Sequence, residues 1–302
     1  MPPSGEQLDL QAGDYRATVT SVGATLRRLV HRDRPLVRGY PADEPTPVYS
    51  GAVLAPWPNR IGDGRYRFAG REHQLPVNEP DRKTALHGLV ATQPWRPERV
   101  SASEVVLHHT LAPRPGYPFD LELRMSYRLA EDGLTARLVA ENTGADGAPY
   151  GCSIHPYLLA GDGRVDAWTL HVPASRYLDV DPDRLLPVAE RPVDGTQFDF
   201  RTARSLAGIR MDHALTGIRF DPSGCASATV LDPDGRGVRI TWDRACRWLQ
   251  VHTADRPEPH LDRSGLAVEP MTCPPDAFRT GHDLVQLRPG QTHTATWTIA
   301  AV

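Results

Sequence analysis

Three polar side chains of this 302-residue chain stand where a polar group needs a reason. Glu269 lies between an apolar approach (Leu266, Ala267, Val268) and a proline-rich exit, PMTCPPDAF. His155 opens HPYLLAG, ahead of Tyr157, Leu158 and Leu159, and His87 sits in ALHGLV. Burying a carboxylate or an imidazole is costly unless it is hydrogen-bonded or charge-paired, and such surroundings move pKa values toward neutrality. One Glu and one His of this kind suffice to take a proton from one oxygen and give a proton to another. Taken singly, each also fits a plain structural role as a satisfied core or turn residue, and NRIGDG (59 to 64) fits a turn that leaves Arg60 in solvent.

The elements that must position these residues read as strands. Most segments alternate apolar and polar residues with a period of two. In LELRMSYRLAEDGLTARLVAEN, Leu121, Leu123, Met125, Tyr127 and Leu129 share a face, EDG turns the chain at Gly133, and Leu134, Ala136, Leu138 and Ala140 return along that face. RYRFAGREHQL repeats the pattern around Ala69-Gly70, ATVLDPDGRGVRITWD around Asp234-Gly235, and HTATWTIAAV reads as a closing strand. Proline and glycine interrupt the chain too often for long helices; residues 201 to 210 are the one stretch that predicts a short helix. The expectation is an all-β, mainly antiparallel sandwich or barrel, one domain over 1–302, with no internal repeat.

Composition narrows the function classes. The formal net charge is −3, Lys83 is the only lysine, and the arginines alternate with Asp and Glu instead of forming a basic face, which argues against a nucleic-acid partner. No basic stretch followed by an apolar run opens the sequence and no apolar run has the roughly 20 residues of a membrane helix, so a cytoplasmic protein without membrane association is expected. Cys152, Cys225, Cys246 and Cys273 are scattered, as reduced thiols would be. GCSIH (151 to 155) has His155 where a nucleophile elbow ends in glycine. GDGRVDA (161 to 167) lacks the third glycine of a dinucleotide loop. Asp179, Asp181, Asp183 and Glu190 match several calcium-loop offsets, but Arg184 stands where that loop requires glycine. There is no H-E-x-x-H, and His108 and His109 would point to opposite faces of a strand, so no metal is expected.

Six segments in one order, PNRIGDGRYRFAGREHQLPVNE, ALHGLV, HPYLLAG, DRLLPVAERPVDGTQFDFR, MDHALTG and AVEPMTCPPDAF, give the chain a resemblance to the aldose 1-epimerase (galactose mutarotase) family, in particular its divergent bacterial branch. The resemblance implies a large antiparallel β-sandwich (a galactose mutarotase-like supersandwich) with a sugar cleft across one sheet, and a small-molecule sugar as partner. It implies Glu269 as catalytic base and His155 as catalytic acid, with Arg60, His87 and Asp212 binding substrate beside Asn59, and no cofactor. Trp57 in APWPNRI is the aromatic expected nearest the sugar. The implied reaction interconverts α and β anomers of a free aldohexose; the alternatives are a mutarotase of a phosphorylated or sulfonated hexose and a non-catalytic sugar-binding module. Departures from the usual pattern at Pro58, Gly88-Leu89, Leu158 and Pro270-Met271 bear on which sugar is used more than on the reaction. The oligomeric state is not legible in the sequence.

Overall fold

The computed structural model describes residues 2–302. Strands account for 49% of the residues and helix for 4%, so the fold class is all-β as the period-two patterning requires. Among the described residues, the largest sheet has nine antiparallel strands. Arg96–Arg99, Glu104–Leu111, Leu121–Ala130 and Gly133–Asn142 lead to the closing strand Thr292–Ala301, which is followed by Gly237–Asp243, Cys225–Leu231, Thr169–His171 and Arg204–Ser205. A second antiparallel sheet runs Tyr157–Leu158, Leu266–Met271, Trp248–His252, Asp212–Ile218, Ala174–Val180 and Pro187–Pro192. The apolar core lies between them. Leu121, Leu123, Met125, Tyr127, Leu134, Ala136 and Leu138 from the first sheet join Leu215, Leu249, Val251, Leu266 and Val268 from the second in one buried cluster. Trp297 stitches the layers together, its indole N–H donating to the Pro270 carbonyl at 3.0 Å.

The three hairpins form as their turn residues predict. Gly133, however, sits just past the turn: Ala130 pairs with Gly133 across Glu131-Asp132. Its φ is +121°, and a Cβ there would lie 2.4 Å from the Ile299 carbonyl, so close approach of the next strand is what requires glycine. Residues 201–210 do not form the expected helix. Arg204–Ser205 is a strand against Thr169–Leu170, and the Arg263 guanidinium takes the carbonyls of Leu206 and Ile209, of which the first would have accepted from residue 210 in a helix. Among the described residues, the α-helix that does form is one turn, Ala277–Thr280, in the exit after Glu269. No helix among the described residues is long and apolar enough to cross a membrane.

Alternation in the six-stranded sheet decides where chemistry can occur. Successive side chains point to opposite faces of a strand. With Leu249, Val251, Leu266 and Val268 committed to the core, Gln250, His252 and Glu269 must face the other way. Cross-strand pairing then aligns them: Asp212 opposes His252, and Gln250 opposes Glu269. Four polar residues thereby share the sheet face that the core does not use.

Candidate active site

Loops close over that face. The strand Val53–Leu54 pairs with Ser153–Ile154, and the His155 amide donates to the Ala52 carbonyl at 3.0 Å while its own carbonyl accepts from Gly51 N–H at 2.7 Å. This pins the His155 backbone above the sheet. Its ring stacks on Tyr157, with centroids 5.0 Å apart, and the Arg38 guanidinium lies 4.0 Å from the centre of the same tyrosine ring. His155 Nε2 sits 3.3 Å from Glu269 Oε1, with both side chains almost fully buried. Glu269 Oε2 and His155 Nδ1 are buried and have no protein partner.

The segment 55–62 brings in Asn59 and Arg60, and the turn after Thr84–Leu86 brings in His87. Asn59 and His87 both have positive φ, +55° and +61°, and hold each other: His87 N–H donates to the Asn59 carbonyl at 2.9 Å, and Asn59 N–H donates to His87 Nδ1 at 3.2 Å. Because His87 Nδ1 accepts, the neutral ring carries its proton on Nε2. Gly88, next in sequence, has φ +75°, and a Cβ would lie 2.1 Å from the Ala55 carbonyl. Gly88→Ala is therefore expected to cost about 1–3 kcal/mol of folding stability and to displace His87, measurable by denaturant unfolding.

Arg60 is held from both sides. Its Nε and Nη2 donate to Glu79 at 2.8 and 3.0 Å, and its Nη1 lies 3.6 Å from Asp212 Oδ2. Thr84 Oγ donates to the same Glu79 carboxylate at 2.6 Å. The strand carrying Arg60 is fixed by the exit after Glu269: Asp276 N–H donates to the Arg60 carbonyl at 2.7 Å, and Gly62 N–H donates to Asp276 Oδ1 at 2.8 Å. Burial alone would raise Glu79, but the Arg60 hydrogen bonds and charge outweigh it and hold Glu79 below its ordinary value. A depressed carboxylate stabilises the fold above its unfolded pKa and loses that contribution as pH falls through the lower folded value. Glu79→Ala is expected to remove about 2 kcal/mol near pH 7, with the deficit shrinking in acid, and to weaken any ligand that Arg60 orients; unfolding curves at two pH values read the first effect.

Electrostatics divide the carboxylates. Burial would raise Asp212, yet His252, Arg60 and the Gln250 amide, which donates to Asp212 Oδ1 at 2.6 Å, keep it well below the usual carboxylate range. Glu269 goes the other way: burial, then the nearby Asp212 charge, push it well above its ordinary value against the opposing pull of Arg60. Burial first, then His252, pulls His155 down to about 3. Asp212 is thus a fixed anion, while Glu269 and His155 are a dry pair whose neutral forms are favoured. Such a pair can move a proton between two oxygens of one bound molecule.

Glu269, His155, Arg60, His87, Asp212 and Asn59 all line one cavity of about 220 Å³. Trp57 does not line it. That side chain is 2% exposed, belongs to the main apolar cluster and packs against Phe278 of the helical turn, so the expected stacking surface is a core residue. The aromatic wall is Tyr49 instead, edge-on to His87 with centroids 4.7 Å apart. Sequence reasoning also missed Glu79, Arg82, Gln250, His252 and Arg256, all of which line the cavity. Gln250 and His252 were signalled by WLQVH, where Leu249 and Val251 occupy the core positions of the alternation; nothing local marked Glu79 as the partner of Arg60. Cys152 and Cys273, near His155 and Glu269 in sequence, are buried free thiols, with burial raising Cys152 to about 12. Thiols so raised are poor nucleophiles.

The family model for aldose 1-epimerase matches residues 6–300. The chain belongs to the aldose 1-epimerase family. The Escherichia coli K12 protein YihR is 38% identical over 292 residues, covering 96% of this chain and 91% of that protein, which places the chain with a divergent bacterial branch. Human galactose mutarotase is 30% identical over 246 residues, 74% of this chain and 69% of that protein. A solved GalM/aldose epimerase homologue from C. elegans has the same fold, with a TM-score of 0.86 over 98% of each chain at 20% identity. Family and fold make this a mutarotase-like sugar-binding enzyme, and its small-molecule partner a sugar. Within that family frame, the lone carboxylate of AVEPM sits where the sheet, the His155 loop and the Arg60 strand converge.

Proposed function

We propose that this aldose 1-epimerase interconverts the α and β anomers of a free aldohexose, with Glu269 and His155 as its acid-base pair. The observation that carries the reading is their buried 3.3 Å contact in a cavity otherwise lined by hydrogen-bonding side chains. Glu269 as carboxylate takes the C1 hydroxyl proton while His155 as imidazolium gives its proton to the ring oxygen. The C1–ring oxygen bond breaks and an aldehyde forms at C1. Rotation about C1–C2 presents the other carbonyl face, and closure returns both protons with the roles reversed. In the open-chain state Glu269 is protonated and His155 neutral, which is the pair's form that burial favours. The resting pair holds its one shared proton in this same neutral form, so ring opening draws on that proton passing from Glu269 to His155 across their contact. Arg60 Nη1 and His87 Nε2–H donate to sugar oxygens, Asp212 Oδ2 accepts from a hydroxyl, and Asn59 holds His87 in its donating tautomer.

A second reading, a mutarotase of an anionic hexose, is favoured by Arg256. This side chain lines the cavity, has no carboxylate within ion-pairing distance among the described residues, and has a buried Nε without a partner. Polarimetry of freshly dissolved α-anomers separates the readings. Acceleration of neutral glucose or galactose-type sugars supports the first, and acceleration confined to phosphorylated or sulfonated sugars supports the second. Tight binding with no acceleration for any aldose would indicate a sugar-binding module.

A further inference from the structure

His252 is the one cavity histidine that neither the acid-base pair nor the Asn59–His87 arrangement uses. It ends the strand Trp248–His252 on the outward face, opposite Asp212 and beside Ala267, two residues before Glu269. Its Nδ1 lies 3.4 Å from the Met211 carbonyl. A carbonyl oxygen can only accept, so in the neutral ring Nδ1 carries the hydrogen and Nε2 is left as a bare lone pair. That Nε2 is buried, on a residue that lines the cavity, and has no protein donor. Burial, reinforced by Arg256 and opposed by Asp212, the Met211 carbonyl and Asp255, lowers the ring's pKa, so the neutral form is the one present near pH 7.

The neighbouring group has the same polarity. Gln250 spends its amide N–H on Asp212 Oδ1, which leaves Gln250 Oε1 buried, unpartnered and able only to accept. The sheet side of the cavity therefore presents acceptors at Gln250, His252 and Asp212. The loop side presents donors at Arg60 and at His87, whose tautomer is the reverse of that of His252. A molecule filling this cavity must turn hydroxyl hydrogens toward the sheet and oxygen lone pairs toward the loops. A buried acceptor left without a donor costs about 1–3 kcal/mol, so each of these atoms discriminates against a ligand that lacks the matching O–H.

We infer that His252 is a specificity-determining residue whose Nε2 accepts a hydrogen bond from one hydroxyl of the sugar. The inference rests on the sugar occupying this cavity, as proposed above. It assigns His252 to recognition and leaves the proton transfers to Glu269 and His155. A hexose in which that hydroxyl is replaced by fluorine, which cannot donate, should be rejected, whereas replacement of a hydroxyl facing the loops should be tolerated.

The test has a readout that needs no turnover. Long-range ¹H–¹⁵N correlation of the wild-type protein should show His252 as the Nδ1–H tautomer, with its Nε2 resonance moving on titration with an accepted hexose. A proton on Nε2, or an Nε2 signal that stays unmoved at saturating sugar, overturns the inference whatever the rates are. For turnover, His252→Phe keeps a ring without an acceptor. It is expected to raise KM about tenfold with kcat within about threefold, and His252→Gln to recover most of the loss. Across a deoxyfluoro series, one position should cost the wild type about tenfold and His252→Phe nothing further. Equal penalties at every position in both proteins would sink the assignment. Failure of the proposed function is a different result: no anomer exchange by the wild type, with the NMR titration still reporting on His252.

Discussion

Glu269→Gln is expected to lower kcat for anomer exchange by on the order of 10³-fold while leaving KM within a few-fold. The amide keeps the shape of the side chain and can still donate to His155 Nε2 across the 3.3 Å gap, so the fold and the cavity persist. What it lacks is the capacity to accept the C1 hydroxyl proton. The size of the effect follows from where the residue sits. Gln250 opposes it across the strand pair, and Val268 and Pro270 beside it in the strand are buried, so no other carboxylate can swing into its place. Asp212, which shares this sheet face and lines the same cavity, is held ionised by His252, Arg60 and Gln250 despite its burial, and is too weak a base to substitute. Progress curves by polarimetry, together with NMR line broadening of the sugar to confirm that the variant still binds, separate loss of chemistry from loss of binding.

His155→Asn is expected to cost a further-ranging but comparable amount, on the order of 10²- to 10³-fold in kcat, and to change the pH profile. The reaction needs one proton on the pair. In acid the pair gains a second proton at His155, and in alkali it loses its last at Glu269. With burial drawing His155 down to about 3 and Glu269 well above the ordinary glutamate value, wild-type kcat should be flat across the neutral range. Its acid limb should lie near the bottom of the accessible scale and its alkaline limb well above the ordinary glutamate range. An asparagine cannot take up that second proton, so the acid limb should vanish from the residual rate. A wild-type profile with a midpoint near the ordinary histidine value would contradict this picture, because it would mean a solvated imidazole.

Much of this is legible in the sequence, for reasons that differ between the fold and the site. The hairpins could be read because alternation and turn glycines act locally: Leu121 through Ala140 carry their facing in their own spacing, and Ala69-Gly70 and Asp234-Gly235 carry their turns. Glu269, His155 and His87 stood out because each breaks an apolar or constrained run. The misreadings have the opposite cause. Residues 201–210 lack their helix because of partners far away in sequence: Thr169–Leu170 pairs with Arg204–Ser205, and Arg263, more than fifty residues on, takes the Leu206 and Ile209 carbonyls. Trp57 was placed by its neighbours in sequence, but its ring turns inward to meet Phe278. Glu79 and Arg256 gave no signal because their meaning lies in what they face across the cavity. The sandwich pairing itself, with Leu266–Met271 beside Trp248–His252, is a long-range register that alternation permits but does not choose.

The same register explains how a single Glu in an otherwise apolar strand comes to face the cavity. Leu266 and Val268 anchor one face in the core, and Pro270 shares that face, its carbonyl receiving Trp297. Glu269 has then only one direction left, toward His155. The proline-rich exit follows from this, since Asp276 and the short helical turn fold back to fix the Arg60 strand. Glu269 and His155, the proposed base and acid, and the arginine that meets Asp212 are thus tied to one continuous length of chain.

Equilibrium exchange NMR at C1 of an accepted aldose, run on the wild type, Glu269→Gln, His155→Asn and the double variant, tests most directly whether the two residues act as one proton-sharing unit. The prediction is that the three variants fall within about tenfold of one another and each at least about 100-fold below the wild type, because removing either partner disables both. A single variant that keeps nearly the wild-type exchange rate, or a double variant slowed by the product of the two single effects, would contradict it.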